Sequence, residues 1–193
     1  MKSLSRNQST GVFVALAVAM VATRFHHFGS VLHLPDASMA VFFLGGLYLR
    51  KHWQFLGFLA LAVLVDWMSV GVMGNSAFCI TAAYAFLPLA YGALWYAGRG
   101  FAGHFEASKG ASLALAVGVA FVSASVSYLI SNGSFYWLGG RYADPHFAEY
   151  VARAWQWGPM FVRTTLTYTV VAMAVHAVVA RLPHRRGGMA AQG

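Results

Sequence analysis

The sequence predicts an all-α integral membrane protein, with six transmembrane helices in one bundle. Three observations predict it. Of the 193 residues, 59% are hydrophobic and 9% charged, where a soluble domain carries about 25% charged residues; the mean hydropathy is +0.61. Six apolar runs follow one another between short polar or glycine-containing breaks, and a span needs roughly 17–25 residues. The charges, finally, cluster in alternate breaks. A single cysteine excludes an internal disulfide, a CxxC redox pair and a Cys-rich zinc site. No GxxxxGK[ST] sequence occurs, so there is no ATP site, and no serine within GxSxG suggests a hydrolase. No repeat of 20–50 residues appears. The chain reads as one membrane domain over 1–193 with a polar tail at 183–193.

The first run, 11–23, follows Lys2 and Arg6 and contains Ala15-Leu16-Ala17-Val18-Ala19, a small-residue pattern shared with signal-peptide cleavage sites. It is read as a retained transmembrane helix. Its Ala15/Ala19/Ala22 face suits close helix contact, either inside the bundle or with a partner helix. The second run, 37–49, is short. The third, 52–72, carries Asp66. Gly74-Asn75-Ser76 turns the chain into the fourth run, 77–97, which carries Cys79 and Tyr84 and is expected to kink at Pro88, an interruption that neighbouring helices absorb. The fifth and sixth runs are 110–131 and 159–182.

Between those last two lie Phe135, Tyr136, Trp137, Tyr142, Phe147, Tyr150, Trp155 and Trp157. Asp144-Pro145 has the form of an N-cap followed by proline at the first helical position. Glu149 and Arg153 are spaced as a helix-surface pair, and Gly158 is a helix stop. A short amphipathic helix over 145–157 is expected at the outer surface. Its rings form either an interfacial belt or a lid over a large flat ligand.

Loop charge sets the orientation. With the N-terminus in the cytoplasm, the inner segments hold Lys2, Arg6, Arg50, Lys51, Arg99, Lys109, Arg181, Arg185 and Arg186 against Glu106. The outer and intramembrane positions hold Arg24, Arg141, Arg153 and Arg163 against Asp36, Asp66, Asp144 and Glu149. The whole net charge of +8 is thus a positive-inside signature with both termini cytoplasmic, and no nucleic-acid partner is needed to explain it.

In this orientation Asp66 lies six residues below the outer end of its helix, about 9 Å, and Arg163 four residues below its own, about 6 Å. Cys79 is two residues into the next helix, so the three share a depth. A carboxylate in a lipid-spanning run is costly and usually functional. An Asp66–Arg163 ion pair is the simplest way to hold both charges, whether it serves a site or only helix packing. Tyr84, five residues beyond Cys79, offers a hydroxyl to the same level or is a packed ring. His26, His27 and Tyr142 are outer-loop candidates for ligand contact. His176, alone and deep, reads as a packed histidine. Buried cysteine is usually a small apolar residue. Near a helix N-terminus, however, its pKa falls, and a thiolate is a soft metal ligand.

Six short helices, an aromatic outer segment and the Ala-rich first helix resemble the substrate-binding S-components of energy-coupling-factor vitamin transporters. The 24–36 loop, Asp66-Trp67 and Asn75-Ser76-Ala77-Phe78-Cys79 resemble more specifically the small solitary vitamin B12 transporters of the BtuM type. That resemblance implies uptake of cobalamin across the bacterial inner membrane, with Cys79 as axial ligand to cobalt and the nucleotide base displaced. It implies thiolate-assisted loss of an upper ligand such as cyanide. Asp66 and Tyr84 would handle a proton or orient the outer cap, and Arg153 and Arg163 would meet corrin amides or the phosphate. An energy-coupling ATPase module would dock on Ala15/Ala19/Ala22, or transport would be passive with trapping inside. The alternative is an S-component-like transporter of another vitamin or a nucleobase precursor, with Cys79 structural.

Overall fold

The computed structural model describes residues 4–24, 34–78 and 80–181. It is all-helical: α1 (Arg6–Arg24), α2 (Ser38–Tyr48), α3 (His52–Gly71), a 3-10 segment (Ala82–Phe86), α4 (Leu87–Phe101), α5 (Gly110–Leu138) and α6 (Phe147–Arg181). No strand occurs among the described residues.

The bundle is built around α2. Its sequence is apolar on every side, the pattern of a helix enclosed by others, and Ser38 and Ala40 through Leu47 are all buried. Its 11 residues span only about 16 Å. α1, α3, α4, α5 and α6 all touch it. Phe42 stacks on Tyr91 with ring centres 4.1 Å apart, while Trp95 and Phe58 are fully buried beside it. Glycine sets the α2–α4 approach. A Cβ on Gly46 would collide with the Trp95 carbonyl, and one on Gly98 with the Phe43 carbonyl.

Successive helices alternate in direction. At one end Gln54 reaches Ser9 (3.4 Å), Arg50 donates to the Ala102 carbonyl (2.8 Å), and the His176 ring meets the Tyr48 hydroxyl (3.1 Å). The other end holds Arg24, Ser38, Asp66 and Tyr91, which are bonded together. Arg6, Arg50, Lys51, Arg99 and Lys109 therefore gather at the first end, and the second carries the mixed charges. Outward faces are apolar: Val14, Val18, Leu56, Val63, Leu115, Phe121, Val122, Val171, Val175 and Val178 are exposed, far more than a monomer surrounded by water usually shows. His52–Gly71, Gly110–Leu138 and Phe147–Val179 are long and apolar enough to cross a membrane.

Several expected boundaries move. α1 begins at Arg6 rather than 11. The fourth helix begins at Leu87 rather than 77, after a 3-10 turn capped by Thr81, whose side chain accepts from the Ala83 amide. Pro88 sits in the first turn of α4, where a missing N–H costs nothing, so it produces no mid-helix kink. α5 runs on to Leu138. The expected separate helix over 145–157 is the opening of α6, which continues through Gly158 and Pro159. Gly158 does not stop the helix. It is buried, and a Cβ there would lie 3.0 Å from the Tyr128 ring, so its place is a packing seat for an aromatic. Glu149 does not pair with Arg153: it accepts from the Tyr136 hydroxyl at 3.0 Å.

Candidate functional site

Arg24 ends α1, where a cation complements the negative helix C-terminus. Its guanidinium grips Asp66 of α3 in a two-pronged fork, Nε to Oδ1 at 2.7 Å and Nη2 to Oδ2 at 2.6 Å. The remaining nitrogen, Nη1, donates to Ser38 Oγ and Tyr91 Oη, both at 2.9 Å, and lies 3.4 Å from Asp36. The Arg24 and Asp66 side chains are only 8% and 9% exposed. Tyr84, held by the 3-10 segment, donates to Asp66 Oδ2 at 2.6 Å. Asp36 accepts from the Ser38 amide (2.9 Å) and hydroxyl (2.6 Å), capping α2, and Thr23 accepts from the Ala37 amide at 3.0 Å. One planar guanidinium, whose fork matches a carboxylate, thus ties together α1, α2, α3 and α4. With two carboxylates against one guanidinium, the cluster is formally an anion.

This network forms one wall of a cavity of about 310 Å³, at the small end of the range for ligand pockets. Tyr128, Asn132 and Phe135, on one stripe of α5, form the facing wall, with Phe78 and Phe161 closing the sides. The rim is aromatic and cationic. Phe78 and Phe135 lie 5.6 Å apart. Arg141 sits 4.9 Å over Phe78 and donates to its carbonyl at 3.2 Å. Arg153 sits 4.7 Å over Tyr142, which packs on Tyr136 at 4.6 Å. Each such cation–ring contact is worth about 0.5–1 kcal/mol at an exposed site.

The structure brings Asp66 and Tyr84 into direct contact and sets Arg153 over the Tyr142 ring, which in turn meets Phe135 of the cavity wall. The expected Asp66–Arg163 pair does not form. Arg163 is exposed on α6, and its guanidinium makes no hydrogen bond or ion pair among the described residues. Helix phase keeps them apart: Arg163 lies on an exposed side of α6, whereas Asp66 is buried. Cys79, His26 and His27 lie outside the described residues. Phe78, the sequence neighbour of Cys79, lines the cavity. No group of three His, Cys, Asp or Glu side chains fit to hold a metal occurs among the described residues.

Sequence reasoning missed Arg24, Asp36, Tyr91, Tyr128 and Asn132. Arg24 carried a signal: a lone cation at the end of an apolar helix needs a buried partner if that end is covered. Chemically, Asp66 already accepts three short hydrogen bonds, so it organises the wall and is not a free base. No protein-family model matches the chain, and no curated protein matches it in sequence.

Proposed function

We propose that the chain is a bacterial inner-membrane protein that captures cobalamin at the cavity end and carries it across the bilayer, with both termini in the cytoplasm. The carrying observation is the placement of Phe78, next in sequence to Cys79, on the same cavity as the Arg24–Asp66–Tyr84 network. The apolar outward faces and three membrane-length helices support a lipid surrounding. Cys79 supplies a soft donor for the corrin cobalt, with the nucleotide base displaced. Such a donor weakens the bond to an upper cyanide, which leaves with its electron pair in a redox-neutral exchange. A corrin is broader than 310 Å³, so only one face enters, and the remainder lies against Phe78, Phe135 and Tyr142 beneath Arg141 and Arg153. With no GxxxxGK[ST] sequence in the chain, ATP-driven transport draws on a separate ATPase module. Ala15 and Ala22 are exposed and Ala19 is half-buried on α1, leaving that small-residue face open to such a partner; without one, passage is passive and is drawn on by modification inside.

A second reading is favoured by the volume alone. About 310 Å³ suits a one- or two-ring molecule, as in an S-component-like transporter of another vitamin or a nucleobase precursor, with Cys79 packed and structural. One titration separates the two. The purified protein is mixed with cyanocobalamin and its visible spectrum recorded beside that of Cys79→Ala. Cobalt–thiolate ligation gives a shifted corrin spectrum that the variant lacks. An identical spectrum from both removes Cys79 from the site, and no binding by either removes cobalamin as cargo.

A further inference from the structure

Four buried side-chain polar atoms lack a hydrogen-bond partner among the described residues: Trp95 Nε1, Tyr128 Oη, Asn132 Oδ1 and Thr169 Oγ1. Two of the four, Tyr128 and Asn132, line the same cavity. They are one turn apart on α5 and so share a face. Native proteins rarely leave such groups unmatched, because a buried polar atom without a partner costs free energy that folding does not recover. The opposite wall is different. There the Arg24 nitrogens are committed to Asp66, Ser38 and Tyr91, and Asp66 to Arg24 and Tyr84.

The position of Tyr128 is built. Only 6% of the residue is exposed. Its ring stacks on Phe161 at 5.4 Å, and Gly158 leaves it room where a Cβ would stand 3.0 Å away. Both supports come from α6, so the hydroxyl is fixed in the cavity by a neighbouring helix.

We infer that Tyr128 and Asn132 form a subsite that reads a neutral carboxamide of the ligand, the hydroxyl donating to the amide oxygen and Asn132 Oδ1 accepting from the amide nitrogen. The assignment rests on cobalamin as cargo, whose corrin is rimmed with primary amides, and it names the part of that cargo the cavity holds. Charge selects the amide over a carboxylate. The facing cluster has one guanidinium against two carboxylates and is formally anionic, so a ligand anion is repelled across a space of low dielectric. Every Arg24 nitrogen already donates within that cluster, so its charge is engaged by Asp66 before a ligand arrives.

The test uses the purified full chain, with cyanocobalamin as probe in calorimetric titration and thermal melts without ligand. Tyr128→Phe and Asn132→Leu are each expected to bind roughly 3- to 10-fold more weakly, the range of one net hydrogen bond. The unliganded Tyr128→Phe protein is expected to melt at or above the wild-type temperature, since an unmatched hydroxyl has been removed. Among cobalamin monocarboxylic acids, in which one rim amide is hydrolysed, wild type discriminates against the isomer altered at the seated amide, and Tyr128→Phe loses that discrimination. Wild-type affinity in both variants overturns the subsite and leaves the cargo standing. A lower melting temperature in Tyr128→Phe overturns it too, by giving the hydroxyl a structural partner. No binding of cyanocobalamin by wild type overturns the cargo, and the assignment of its amides with it.

Discussion

Two carboxylate–cation pairs in this chain have nearly equal lengths and opposite settings. Arg24–Asp66 closes at 2.6 Å with both side chains under a tenth exposed. Lys109–Glu106 closes at 2.8 Å with side chains 68% and 49% exposed. The first joins helices 42 residues apart in sequence and lines a cavity; the second spans three residues of a loop. Distance alone does not rank them. What differs is the alternative open to each charge: Glu106 and Lys109 fall back on water, whereas Asp66 without Arg24 has only the Tyr84 hydroxyl in an apolar bundle. An ion network kept where apolar side chains would pack as well is costly to maintain, and its position beside the cavity gives it a reason to be there.

If burial is what separates the two pairs, Arg24→Met has the largest effect. Removing one partner of a buried pair costs about 3–5 kcal/mol, and here it also releases Ser38 and Tyr91. Chemical denaturation in detergent measures it. The double variant Arg24→Met, Asp66→Leu should recover much of that loss, since no charge is then stranded. A single variant as stable as wild type would mean that water reaches the pair freely.

Gly46→Ala probes the packed centre that holds this network in place. The new Cβ meets backbone, which cannot swing away, so α2 and α4 separate at a cost of about 3 kcal/mol, the upper end for overpacking. Since α2 carries Ser38 and follows Asp36, ligand affinity falls with stability. Unchanged melting would show that the α2–α4 contact has slack.

Tyr84→Phe is milder. It removes one hydrogen bond to a charged acceptor, worth about 1.5 kcal/mol, while Arg24 still holds Asp66. Melting falls by correspondingly less than in Arg24→Met. A loss as large as that of the arginine would make Tyr84, not Arg24, the main support of the carboxylate.

Much of the bundle was legible in the sequence because lipid-length apolar runs and charge segregation are one-dimensional signals. α3 came within a residue of its expected limits, and α2 within one at each end. The site was less legible because it depends on helix phase. Asp66 was visible as a carboxylate in an apolar run, yet its partner was sought at equal depth in Arg163 and lies instead at the end of α1. Gly158 and Pro159 read as punctuation in sequence. In the bundle Gly158 makes room for Tyr128, and the helix runs past both residues. Tyr128 and Asn132 gave no signal at all, since an aromatic and an amide in a long apolar helix look like ordinary packing until the cavity is seen.

The exposed pair sets the lower limit of the scale. Lys109, by hydrogen bond and by charge, holds the Glu106 carboxyl below its ordinary value of 4.5. A carboxyl whose pKa is lower folded than unfolded stabilises the fold above the unfolded value, and that contribution is lost as pH falls through the folded one. Any difference between wild type and Lys109→Ala should therefore be present at pH 7 and vanish only below pH 4.5. Both groups face water, so the difference is the smallest of the series and shrinks further in salt, where the screening length is about 8 Å at 0.15 M. Melting curves for Lys109→Ala and Arg24→Met, each at low and at high salt, put the two pairs on one scale. The arginine variant should keep its deficit in salt while the lysine variant becomes indistinguishable from wild type. A deficit that salt erases equally in both would mean that solvent and ions reach Asp66 as readily as Glu106, and that the buried network is screened like a surface pair.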